Sequence, residues 1–133
     1  MALLDDLGDI LTSGSTGVFG TDILVGRMPD TPAVCLSLAE TGGLTGSYTL
    51  QTGPAFLERP RVQVLSRALT SAAAHARSKM VETVLDGLRN RTKNGTLYHW
   101  AQAVQPAFLM EYDANQRPVL AQNFEIQKAR STA

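Results

Sequence analysis

Apolar residues recur along this chain with two periods, and each predicts a different kind of element. Over residues 2–13, Leu3, Leu4, Leu7, Ile10 and Leu11 return every three or four positions, which makes one stripe of a short helix. Asp5, Asp6 and Asp9 lie off that stripe, near the helix N-terminus where the dipole favours negative charge, and read as a solvated face. The same period returns over residues 69–91. Thr70 or Ser71 can cap this helix, and Ala73, Ala76, Met80, Val84 and Leu88 predict its apolar face. Arg89, Arg91 and Lys93 fall at its end, where cations suit the dipole, and Asn94-Gly95 is expected to stop it.

Elsewhere the period is two. A strand is expected over 22–30, ending at Pro29, and "PAVCLSLAE" predicts another, with Val34, Leu36 and Leu38 on one face. In "RPRVQVLSR", Val62 and Val64 point one way and Arg61, Gln63 and Leu65 the other; Pro60 fits a strand start. Residues 96–106 alternate Leu97, His99, Ala101 and Ala103 against Tyr98, Trp100, Gln102 and Val104. "AFLMEYD", the turn "DANQRP" and "VLAQNFEIQKA" predict a closing hairpin. The order α-β-β-β-α-β-β-β implies an α+β domain over residues 1–133: one largely antiparallel β-sheet, with a short N-terminal and a long central helix packed on it.

The segment between the second and third strands breaks both periods. Residues 41–59 are Gly- and Thr-rich, uncharged from Thr41 to Leu57, and carry Leu44, Tyr48, Leu50, Phe56 and Leu57. An uncharged loop of that length with apolar anchors is expected to protrude and dock on a neighbour, by strand addition to an open sheet edge for instance. "GSYTLQT" also alternates like a strand, so an internal hairpin folded onto its own domain is the alternative.

Composition narrows the function. Twelve Lys and Arg against twelve Asp and Glu give a formal net charge of zero, with no global field to hold nucleic acid or an anionic membrane. Cys35, the one cysteine, lies in an apolar run and reads as a buried, inert thiol. The N-terminus lacks the basic flank of a signal peptide, and no apolar run is long enough to span a bilayer. Gly42, Gly43, Gly46 and Gly53 have no lysine near them and no helix opening after them, so they do not make a phosphate loop. His75, His99 and Cys35 cannot complete a four-ligand zinc site, and no serine sits in a nucleophile elbow. No enzyme, metal or cofactor is expected.

Three stretches carry a family likeness: "PAVCLSLAETGG", "ERPRVQVLSRA" after the loop, and the closing "YDANQRPVLAQNFEIQ". Together they resemble the small bacteriophage minor capsid proteins that act as tail terminators of long-tailed phages, from the first helix to about Lys128. The resemblance implies an α+β subunit that forms a sixfold ring on the tail tube, stops tube growth and offers a surface for head joining. Its implied partners are further copies of the chain, the tail tube protein and the head-tail connector or stopper. Genomic DNA is expected to pass through the lumen without specific binding. The implied location is the virion tail or neck, assembled in the host bacterial cytoplasm. Leu44, Tyr48, Leu50, Phe56 and Leu57 then become expected contacts with a neighbouring subunit or the tube. Glu58, Arg59 and Arg61 are expected to pair across the ring interface, and residues 129–133 form a polar tail. A head-side adaptor or stopper ring is the nearest alternative, and a small-ligand-binding module using the glycine loops is a more distant one.

Overall fold

The computed structural model describes residues 3–14, 17–47 and 57–129; of residues 43–47 it describes the backbone alone. In chain order the elements are α1 (Leu3–Ser13), β1 (Ile23–Val25), β2 (Cys35–Ser47), β3 (Leu57–Arg67), α2 (Ser71–Asp86), β4 (Arg89–Lys93), β5 (Thr96–Ala103), β6 (Phe108–Tyr112) and β7 (Pro118–Ala129). The strands form one sheet in the order β1-β2-β3-β7-β5-β4, and β6 pairs with β7 off that path. Every pairing is antiparallel except the short β1–β2 ladder. The architecture is the expected α+β one.

β7 is the centre of this sheet. One of its edges pairs with β3 between Val119 and Ala129. Its other edge takes β6 between Pro118 and Ala121, then β5 between Phe124 and Lys128. Alternation sends Leu36, Leu38, Val62, Val64, Phe124 and Ile126 to one face. There they pack with Leu3, Leu7, Ile10 and Leu11 of α1 and with Val81 and Leu85 of α2. The expected faces of Val62 and Val64 are the observed ones, and the closing hairpin forms as β6 and β7 around a turn at Asp113–Gln116.

Several expectations change. The buried face of α2 is Ala74, Ser78, Val81 and Leu85, rotated from the one read from sequence; Ala73 and Ala76 are exposed, and Met80 is 47% exposed. A serine tolerates that stripe because Ser78 Oγ donates to Ser66 Oγ at 3.1 Å. Thr70 caps the helix, its side chain accepting from the Ala73 N–H, and Gly87 ends it. Residues 89–93, read as its last turn and exit, are instead the edge strand β4. Asn94 and Gly95 (φ 49° and 81°) are the two left-handed residues of a tight hairpin turn into β5, where glycine relieves the strain.

β1 is three residues long, where a strand over 22–30 was expected. The strict alternation of β5 is interrupted at His99: Tyr98 pairs with Lys128 and Trp100 with Gln127, so the ladder slips by one residue. As a result Tyr98 and Ala101 are both buried, although they were assigned to opposite faces. The expected loop at 41–59 narrows from both sides, because β2 runs to Ser47 and β3 begins at Leu57. A bulge at Thr41 lets the chain continue through Gly42 (φ +114°).

Asp6 is fully buried rather than solvated. Its carboxylate accepts from Tyr98 Oη and from Asn94 Nδ2 (2.7 Å), so α1 is tied to the β4–β5 hairpin. A buried carboxylate is tolerable only with such donors. Burial, then the hydrogen bond to Asp6 and the negative charge of Asp6, push the Tyr98 hydroxyl well above its ordinary value of 10.0.

Two expected outcomes follow from this packing. Leu85→Ala should cost about 2–5 kcal/mol in denaturant unfolding, while Met80→Ala should change stability by roughly 0.5 kcal/mol or less. The second concerns alkaline pH. With its folded-state value raised, Tyr98 stays protonated in the native state while the unfolded chain ionises. Its contribution is therefore complete below the ordinary tyrosine value of about 10 and is drawn down as pH rises above it. Tyr98→Phe should cost about 1–3 kcal/mol at neutral pH and flatten the stability profile above pH ~10, measured by unfolding across pH 7–11.

Candidate functional site

The sheet face turned away from the helices is organised around Arg67. This side chain is buried near the end of β3, where alternation sends it to the face opposite Val62 and Val64. Its Nε donates to the Ala33 carbonyl (3.0 Å), and Nη2 donates to the carbonyls of Pro29 and Pro32 (2.8 Å to Pro32). Nη1 lies 3.6 Å from Asp113. One guanidinium thus holds both the segment leading into β2 and the turn between β6 and β7. A planar fork of donors suits such a set of carbonyls.

Arg117 completes the joint. Its Nε donates to Asp113 (2.7 Å), and its Nη2 donates to Asp30 (2.7 Å). Burial works against ionisation of Asp113, but hydrogen bonds from the backbone and side chain of Arg117 and from the Asn115 N–H outweigh it. The Asp113 carboxyl is held below the usual carboxylate range. Cys35 lies buried nearby at the start of β2, and burial pushes its thiol up despite the positive charge of Arg67.

The eight residues singled out from sequence are distributed as follows. Leu57, Glu58, Arg59 and Arg61 all stand in the first half of β3. Glu58 lies 3.6 Å from Lys128, and Arg59 Nε donates to Gln127 Oε1 (3.1 Å), so both already have partners on β7. Arg61 is exposed and sits opposite Gly42 on one side and Glu125 on the other. Leu44 is placed by its backbone opposite Arg59. Tyr48, Leu50 and Phe56 lie outside the described residues.

A second surface was not singled out from sequence. All five residues of β6 are exposed, and four of them, Phe108, Leu109, Met110 and Tyr112, are large and apolar. The signal was present as a strand apolar on both faces, which in sequence looks the same as a strand buried on both faces. Among the described residues, no group of three His, Cys, Asp or Glu side chains gathers to hold a metal, and no helix is long and apolar enough to cross a membrane.

The family model for the bacteriophage tail terminator protein matches residues 10–130. The chain belongs to the bacteriophage tail terminator family. Two solved structures share its fold at low identity. A chain from the virion of a native gene transfer agent particle superposes with a TM-score of 0.67 at 15% identity, covering 97% of this chain and 96% of that one. A second solved chain gives a TM-score of 0.58 at 12% identity, covering 99% of this chain and 93% of its own length. None of the curated proteins matches the chain. As a tail terminator it is a structural protein of the phage tail, located in the virion.

The Arg67 joint reaches the turn that follows β6, which gives a test. Arg67→Lys supplies one compact ammonium in place of the fork and should lower stability by about 2–4 kcal/mol, read from the denaturant midpoint. Amide exchange should speed up in residues 29–33 and 113–117 together.

Proposed function

We propose that this tail terminator is a one-domain, non-enzymatic assembly protein that closes the head-proximal end of the tail tube as a hexameric ring. On this reading the ring stops tube polymerisation and presents the surface to which the head connector attaches. The match to the tail terminator model over residues 10–130 carries the proposal. The fold is suited to it: the β2–β3 pair offers Thr41, Gly42 and Arg61 at its surface, and β6 offers apolar side chains at another. A ring needs two different patches on each subunit, since neighbours meet head to tail around the axis.

A formal net charge of zero fits a conduit through which DNA must slide without being gripped. The partners on this reading are further copies, the tail tube protein and the connector, with Leu44, Tyr48, Leu50, Phe56, Leu57 and Glu58 to Arg61 contributing contacts along the hairpin.

The test is electron microscopy of particles made when translation stops at Trp100, which removes the second half of β5 and all of β6 and β7. Overlong tails without heads are expected. Tails of normal length beside unattached heads would move the chain to the head side of the joint, and intact virions would sink both readings.

A further inference from the structure

Besides the outer edges of the terminal strands β1 and β4, two strand edges have no partner among the described residues, and they lie on opposite flanks of the sheet. The first is the outer edge of β6, which pairs with β7 alone. The second belongs to β2. β1 covers only Leu36 to Leu38, and the Gly26 N–H adds a bond to the Leu38 carbonyl (2.7 Å), so residues 39–47 face outward unpaired. Rows of free N–H and C=O groups are templates for another strand.

The sheet protects another of its edges in a recognisable way. β4, at the end of the strand order, carries Arg89, Arg91 and Lys93, the kind of charge that blunts an edge. β6 carries a single charge, Glu111, among Phe108, Leu109, Met110 and Tyr112, which are 41–55% exposed. Four large apolar side chains on both faces of one short edge strand form the sort of patch that marks a contact surface.

The two edges complement each other. Glu111 and Arg67 both stand directly opposite Val119, and Arg61 shares the face of Arg67 three alternations along β3. Glu111 and Arg61 therefore lie on the same face of the sheet, the one turned away from the helices. Both are exposed, and neither forms an ion pair among the described residues. Between Arg61 and the free β2 edge stands Gly42, and no atom lies within 4 Å of where a Cβ would be. Arg61 can extend across that gap. Gly42 and Gly43 also leave backbone without side chains over which an aromatic ring from an added strand can lie.

We propose that the β6 edge of one copy adds to the free β2 edge of the next, joining their sheets head to tail, with Glu111 reaching Arg61 across Gly42. Phe108 and Tyr112 then cover the glycine strip, and each copy uses one flank as donor and the other as acceptor. A contact of this heterologous kind propagates around an axis and closes as a ring. The inference rests on the ring reading above and names the surfaces that build it.

The test uses full-length chain in phage particles, with Arg61→Cys and Glu111→Cys introduced singly and together. Cys35 is fully buried and shielded from a thiol reagent. Because β2 stands between the two positions, which are then about 10 Å apart, a thiol-to-thiol cross-linker of about that span is used in place of direct oxidation. Treated particles with both substitutions should give a ladder of covalent multiples of this chain, and particles with either one alone should not. A double variant with no more multiples than the singles overturns the proposal, as does a single variant that links to a different tail protein. Tail length in the same particles reports separately on termination, so a ring built through other surfaces (normal tails, no ladder) is distinguished from a chain that does not terminate tails. As a second readout, Glu111→Arg and Arg61→Glu should each lower the yield of joined particles about tenfold, and combining them should restore it. Failure of the combined variant to recover overturns the pairing.

Discussion

β7 must satisfy two long edges, and the supply of strands for doing so is unequal. β3 is long enough to cover one edge almost entirely, from Val119 to Ala129. The opposite edge is shared end to end by β6 and β5, separated by the residues around Pro106. β4, with five residues, then covers β5 and stops. The open edge of β6 is thus a consequence of how the centre of the sheet is filled. The same arrangement sets the inner face, because the alternation of β7 decides which residues of β3 and β5 meet the helices.

Two buried charged groups fix the two faces of this sheet. On the helix side, Asp6 accepts from Tyr98 and Asn94 and so fixes how α1 meets the β4–β5 hairpin. On the other side, Arg67 holds the carbonyls of Pro29, Asp30, Pro32 and Ala33 and approaches Asp113, which Arg117 in turn holds against Asp30. Each group is surrounded by directional partners, and that makes a buried charge sustainable. Hydrophobic burial alone would press the layers together without choosing among nearby registers. These polar contacts have geometry, and geometry selects one register.

How much of this was legible in the sequence depends on how local the cause was. The alternation of Val62 and Val64 and the β6–β7 hairpin were readable, because a strand face and a tight turn are written in neighbouring residues. The face of α2 was misread because the buried stripe includes Ser78, whose partner Ser66 lies on another element. Asn94-Gly95 served equally well as a helix stop or a hairpin turn, and only the pairing of β4 with β5 distinguishes the two. Asp6 looked solvated because its partner Tyr98 is 92 residues away. For the candidate site, Leu57 to Arg59 were read as part of a protruding loop, yet they stand in β3, where Glu58 and Arg59 have partners on β7, and β6 was not singled out. Whether a strand lies at an edge is a property of topology, and an apolar edge strand reads like a core strand until its neighbours are known.

The position of β7 at the middle of the sheet also bears on how the molecule is made. Translation delivers this strand after β3, β5 and β6, the three strands it joins. Until it emerges from the ribosome, the β2–β3 pair and the β4–β5 hairpin are separate pieces, with no ladder between them and without Phe124 and Ile126 in their core. Closure then requires pairings between residues far apart in the chain, which are slow to form. Subunits therefore become competent all at once and late, and an incomplete chain has no assembled sheet to offer to a growing tail.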